Sequence, residues 1–151
     1  MTRVAALQFA SGTDVDANLA VCLRMIDEAS TKSPHVMVLP EFCNHISWYD
    51  DAAHARRVSL DADGRFLSAI AARAARYRCY IVINVSLRRC PDTLTVSSLM
   101  YDPAGERVAI ADKQTLMGHE NTWFARARQT SEVVRAPFGR LALFPCRDGV
   151  T

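Results

Sequence analysis

Two stretches of this sequence share a shape. "VMVLPE" is four apolar residues, then Pro40, then Glu41, and "LALFPC" is four apolar residues, then Pro145, then Cys146. Proline has no N–H to give to a sheet ladder, so each proline marks where a strand leaves its sheet. In open α/β sheets ligands bind in the crevice beyond the carboxyl ends of the strands. Both stretches thus place a reactive side chain, a carboxylate and a thiol, where such a crevice would lie. Each also has a plainer reading: Glu41 as a solvated loop carboxylate, Cys146 as a buried thiol. Site residues favour strand-end loops, which keeps the reactive reading open for both. Lys113 follows the apolar stretch "RVAIAD" and also sits at a strand end. Most lysines there are merely solvated. A cation can, however, lower a cysteine's pKa toward thiolate and hold an oxyanion.

These three residues lie far apart in the chain, so only a folded scaffold could bring them together. Arg3 to Phe9 reads as a first strand. Ser11 to Asp16 supplies N-cap candidates, and Leu19, Cys22, Leu23, Ile26 and Ala29 then recur at helical spacing. "HVMVL" (His35 to Leu39) is a short apolar run, expected to be a strand buried on both faces. A polar loop with room for a short helix covers Asn44 to Leu60. A second helix is expected after Asp61 or Asp63 as cap, with Phe66, Leu67, Ile70, Ala71, Ala74 and Tyr77 on one face. "YIVINVSL" (Tyr80 to Leu87) is another strand. Leu94 to Tyr101, the turn "DPAGE" and Arg107 to Ala111 make a hairpin. After a long polar segment, Glu132 to Arg135 and Arg140 to Phe144 predict a second hairpin around "APFG", with Leu141 to Phe144 buried. Strand–helix alternation followed by hairpins predicts an α/β fold with a mixed β-sheet and helices on one face.

Composition narrows the class. A length of 151 residues predicts one domain. Half of the residues are hydrophobic and 23% are charged, which fits a globular chain. A net charge of +2, with both signs interspersed, gives no electrostatic case for nucleic acid or an anionic membrane. No window offers the roughly 18 consecutive apolar residues of a spanning helix. The N-terminus reads as a strand, not as a signal peptide. The five cysteines include no C-x-x-C pair, so neither a disulfide framework nor a zinc site is expected, and a reducing cytoplasm is favoured. Cys22, Cys43, Cys79 and Cys90 are expected to be small buried hydrophobes. No histidine falls in H-E-x-x-H or another ligand spacing, and no glycine loop would cradle a phosphate, so a nucleotide-binding module is the weakest reading.

Taken together, "VAALQFA", "VMVLPEF", "LMYDPAGERVAIADK" and "APFGRLALFPCRD" resemble, in order and spacing, the nitrilase or carbon–nitrogen hydrolase superfamily. The resemblance runs through essentially the whole chain. It implies that Glu41 is the general base, Cys146 the nucleophile toward an amide, carbamoyl or nitrile carbon, and Lys113 the group that stabilises the developing negative charge. It implies a supporting role for Glu120, in "MGHEN", whose residue-level reading as a helix-start carboxylate stays open. It implies a small-molecule substrate and no metal or organic cofactor. His119, Trp48 and Trp123 are candidates for pocket walls or for ordinary surface and packing.

Two residues depart from the pattern. Asp112 stands where arginine is frequent and is expected to help keep Lys113 protonated. Arg147 stands where an aromatic is usual, with Asp148 keeping the following acid. Members of the superfamily continue past the cysteine. Residues 1–151 are therefore expected to form a partial domain, an incomplete α-β-β-α sandwich with an unpaired sheet edge and exposed apolar surface. The segment after Cys146 is expected to fray. The competing expectation is an inactive fragment, or a subunit that needs a complementing chain or a homo-oligomer.

Overall fold

The computed structural model describes residues 1–150. In chain order its elements are β1 (Val4–Ala6), α1 (Val15–Ser30), β2 (Val36–Val38), α2 (Ala52–Val58), β3 (Leu60–Asp61), α3 (Arg65–Tyr77), β4 (Tyr80–Cys90), β5 (Thr93–Tyr101), β6 (Arg107–Asp112), α4 (Glu120–Trp123), β7 (Val134–Ala136) and β8 (Gly139–Leu141). The main sheet runs β1-β2-β4-β5-β6, with β3 beside β4. β1, β2 and β4 are parallel. β5 runs back along β4, and β6 reverses again. β6 therefore points the same way as β2, and the residues that follow those two strands leave at the same end of the sheet.

Strand alternation divides the sheet into two faces. Ile81, Ile83, Val85 and Leu87 of β4 face the helices and form one core with Leu19, Cys22 and Ile26 of α1 and Phe66, Leu67, Ile70 and Ala74 of α3. This is the mixed sheet with helices on one face that the pattern predicts. Asp14 caps α1, its carboxylate accepting from the N–H groups of Asp16 (2.9 Å) and Ala17 (3.0 Å). α3 is not capped by Asp61 or Asp63. Gly64 holds that position, because Asp61 is paired with Arg88 and Asp63 with Arg107. The "DPAGE" turn closes on Gly105, whose φ is +84° and where a Cβ would come within 2.8 Å of the Ala71 carbonyl oxygen. Only glycine lets this turn rest on α3.

Val36 (5%) and Met37 (0%) of β2 are buried on opposite faces as expected, and only its last residue, Val38, is partly open at 37%. The face opposite the helices differs from expectation. The second hairpin forms, but as a separate two-stranded sheet with Val134 opposite Leu141. It packs across this face against Val36, Tyr80, Met100 and Ala109. β8 stops at Leu141, and Phe144 is 61% exposed, so Leu141 to Phe144 is not a buried strand. With no main-sheet partner, that segment has no ladder to extend. Cys22, Cys43 and Cys79 are buried as expected, whereas Cys90 is exposed where β4 runs past the core. Among the described residues no helix is long and apolar enough to cross a membrane.

Candidate active site

The open face of the sheet collects the chemistry. Glu41 follows β2 on a loop pinned to β4. The N–H of Leu39 bonds the Val82 carbonyl at 2.9 Å, and the N–H of Cys43 bonds the Asn84 carbonyl at 2.9 Å. The Asn84 side chain completes the pin, Oδ1 accepting from the Phe42 N–H at 3.1 Å and Nδ2 donating to Ser98 Oγ at 3.0 Å. Phe42 sits in the left-handed region at φ 55°, which costs a residue with a Cβ about 1–2 kcal/mol and must be held by its surroundings. Asn84 was not singled out from the sequence. Its signal was there, a lone amide inside the apolar run "YIVINVSL", since buried polar groups require partners. Asn84→Ala leaves the Phe42 N–H unpaired. We expect it to lower stability by about 1–3 kcal/mol and to speed hydrogen exchange at the Phe42 amide, read by thermal melting and exchange mass spectrometry.

Lys113 continues the alternation of Ala109 and Ala111, both buried on the open face. Its backbone N–H bonds the Val96 carbonyl at 2.8 Å, one step past the end of β6. The side chain is only 1% exposed, and Nζ donates to Glu41 Oε1 at 2.8 Å and to Glu120 Oε1 at 3.0 Å. Burial pulls the lysine's pKa down, but the two carboxylates outweigh it and the net direction is up. Glu120 opens the short α4, yet its carboxylate turns inward. Oε2 accepts from the Met117 N–H at 2.7 Å while Oε1 meets the lysine. Asp112 does not take part. Its carboxylate accepts from Ser97 Oγ at 2.6 Å and pairs with Arg89, so the charge that holds Lys113 comes from Glu41 and Glu120.

Cys146 begins a short 3-10 turn, Cys146–Gly149, directly after the buried Pro145. It too adopts a left-handed conformation, at φ 45°. Cys146 and Glu41 line one open cavity of about 580 Å³ together with Asn84, Ser98 and Met100. The thiol's pKa is raised, first by partial burial and then by the negative charge of Glu41, which outweighs the opposing pull of Lys113. The lysine therefore does not turn Cys146 into a resting thiolate, contrary to the effect a nearby cation can have. The arrangement is instead a neutral thiol beside a carboxylate whose other neighbour is an ammonium.

The remaining candidates separate. Trp123 packs against the cluster of Phe42, Tyr49 and Phe124 behind Glu120. Burial pushes the Tyr49 hydroxyl up to about 12. Trp48 is 69% exposed and lies beside His119, which meets Ser47 Oγ at 3.0 Å. Neither Trp48 nor His119 lines the cavity shared by Glu41 and Cys146.

The carbon-nitrogen hydrolase family model matches residues 3–151. The chain belongs to this family. Among curated proteins it is similar to the deaminated glutathione amidase of Yersinia enterocolitica, with 29% identity over 97% of this chain and 54% of that protein. Among solved structures it is similar to an amidase from Nesterenkonia sp. AN1, with a TM-score of 0.77 at 18% identity, covering 94% of this chain and 56% of that one. Another structure of that amidase shows acrylamide added at its active-site cysteine, and matches with a TM-score of 0.74 at 17% identity over 91% of this chain and 54% of that one. The likeness to these structures establishes the shared fold. This carbon–nitrogen hydrolase chain spans about half the length of the relatives it matches.

Proposed function

We propose that residues 1–151 carry the nucleophile, base and electrostatic groups of an amidase-type carbon–nitrogen hydrolase domain. Cys146 is the nucleophile, Glu41 the general base, Lys113 the oxyanion-stabilising cation and Glu120 the group that holds Lys113. The observation that carries this reading is the gathering of four side chains on one sheet face. Lys113 lies between Glu41 and Glu120 at 2.8 and 3.0 Å, and Cys146 shares a cavity with Glu41.

The chemistry follows from the donors available. Lys113 has three N–H donors, and the two carboxylates occupy two. Among the described residues no other group bonds Nζ, and in this reading the third donor meets the substrate oxygen at the inner end of the site. Glu41 Oε1 is bonded to Lys113, which leaves Oε2 for the thiol proton. As Sγ attacks the amide carbon, its proton passes to Glu41 and the carbonyl oxygen gains negative charge next to the ammonium. Collapse breaks the carbon–nitrogen bond, and Glu41 returns the proton to the leaving amine, giving a thioester on Cys146. Water then attacks the thioester with Glu41 again taking a proton; collapse breaks the carbon–sulfur bond, Glu41 returns the proton to Sγ, and the carboxylic acid leaves. A raised thiol pKa suits this scheme, because the base acts during attack and no thiolate need stand exposed to oxidants beforehand.

The mostly apolar lining of the cavity favours small amides with a hydrocarbon acyl part over charged ones. Both amidase relatives support amides over nitriles or carbamoyl compounds as the first class to try. A reducing intracellular compartment suits a chain that depends on a free thiol. The direct test is ammonia release from short aliphatic primary amides. We expect turnover that stops on pretreatment with a thiol alkylator. Turnover that survives complete alkylation of Cys146 would overturn the assignment.

A further inference from the structure

One side chain ties the turn that bears Cys146 to the segment that bears Lys113. Asp148 Oδ2 accepts from the Gln114 N–H at 2.8 Å, and Oδ1 accepts from the Thr115 N–H at 2.8 Å. The donors are the first and second residues after Lys113, and the acceptor lies two residues after Cys146. Asp148 is itself fixed within its turn, its N–H bonding the Pro145 carbonyl at 3.1 Å. The Lys113 segment is anchored on the sheet, through its N–H to Val96 and its carbonyl to the Ala127 N–H at 3.0 Å. A continuous path of hydrogen bonds thus runs from β5 through the Lys113 backbone to the Asp148 carboxylate and on to Cys146.

The path fills a structural need. Ala142 to Pro145 belong to no strand, so no ladder locates the residue that follows them. Cys146 also occupies a left-handed conformation that a side-chain-bearing residue keeps only when its surroundings impose it. Two parallel charge-assisted bonds from successive amides fix orientation as well as distance. Asp148 is not among the residues lining the cavity that holds Glu41 and Cys146, and both its oxygens are already engaged.

We propose that Asp148 is a positioning residue whose carboxylate staples the Cys146 turn to the Lys113 segment and so sets the sulfur against Glu41 and the ammonium. The proposal rests on the reading of Cys146 as nucleophile. The same carboxylate also holds the 3-10 turn Cys146–Gly149 against the Lys113 segment.

The test uses the full chain carrying Cys90→Ser, which leaves Cys146 as the one exposed thiol among the described residues. The pH profile of iodoacetamide alkylation is measured in Asp148→Ala and Asp148→Asn, each with and without Glu41→Gln, alongside hydrogen exchange at the Gln114 and Thr115 amides. In the parent the alkylation midpoint should lie above that of an ordinary thiol and fall with Glu41→Gln. In Asp148→Ala the two amides should exchange at least about tenfold faster, as expected for loss of a hydrogen bond to a charged group. The alkylation midpoint should drop toward an ordinary thiol and no longer respond to Glu41→Gln. Asp148→Asn keeps one acceptor oxygen and should fall between; it carries the comparison if the alanine variant does not fold. Amides that exchange at the parent rate would overturn the staple. Faster exchange with an unchanged alkylation profile that still responds to Glu41 would overturn the positioning role. If Cys146 is instead not the nucleophile, amide turnover survives Cys146→Ala, an outcome that neither the exchange nor the alkylation reading depends on.

Discussion

Cys146→Ala is expected to abolish amide hydrolysis, by at least about 10⁴-fold, with almost no change in thermal stability. The two halves of that expectation have separate origins. Removing a nucleophile deletes the covalent route entirely, and the neighbouring ammonium and carboxylate cannot substitute for the missing sulfur. Stability should hold because Cys146 is exposed and its sulfur is no part of the packed core. Surface substitutions of this kind change stability by roughly 0.5 kcal/mol or less. Ammonia release and a thermal melt on the same preparation check both halves.

Glu41→Gln sharpens the test, because its effects on rate and on thiol acidity run in opposite directions. The glutamate's charge helps hold the Cys146 thiol above its ordinary pKa. Replacing it with a neutral amide lets the thiol ionise at lower pH, so alkylation at a given pH becomes faster. Hydrolysis nevertheless falls, by about 10²–10⁴-fold, because no group takes the thiol proton or returns it to the leaving amine. A variant that alkylates faster yet hydrolyses slower identifies Glu41 as a base; a variant slower in both would point to a collapsed site.

Lys113→Met should produce the largest loss of stability of any single change at the site. The ammonium lies 1% exposed between two carboxylates. Taking it away leaves Glu41 and Glu120 facing one another with no intervening cation. Breaking a buried pair by removing one partner costs about 3–5 kcal/mol. At roughly 2–4 °C per kcal/mol for a chain of this size, the melting temperature should drop on the order of 10 °C. The pH dependence gives a sign to check. The lysine's pKa is raised in the folded state, so its stabilising contribution is complete below the ordinary lysine range. That contribution is lost only as pH climbs through the folded value. The variant should instead gain stability on acidification, since protonating either carboxylate relieves the repulsion. Adding Glu120→Gln should recover part of the loss at neutral pH, because the two substitutions share one contact. An equal melting temperature for Lys113→Met and the parent from pH 5 to 8 would mean that the three groups are not coupled.

Much of this was legible in one dimension. The proline of "VMVLPE" announced the strand exit after β2, and helical spacing in α1 and α3 announced which residues of each helix are buried. Those signals are local. A proline removes a ladder donor wherever it stands, and an apolar stripe must be buried wherever its helix packs. The boundaries failed where a non-local partner decided them. Asp61 and Asp63 look like helix caps until Arg88 and Arg107 engage them. Asp112 looks like the lysine's partner until Ser97 and Arg89 turn it away. Leu141 to Phe144 has the apolar character of a buried strand but finds no strand beside it.

Read along the chain alone, the residues announced the acid after β2 and the lysine after β6, the parallel run followed by hairpins, and the family resemblance. The folded arrangement set β2 and β6 pointing the same way, and hence brought Glu41 and Lys113, 72 positions apart, together at 2.8 Å. It also decided that Glu120 turns inward, that Asn84 and Asp148 pin the two loops, and that the thiol's pKa rises instead of falling. The physical reason is the same in each case. Charge interactions depend on the distances and burial of groups remote in the chain, and those are set by sheet register and packing, which local composition does not encode.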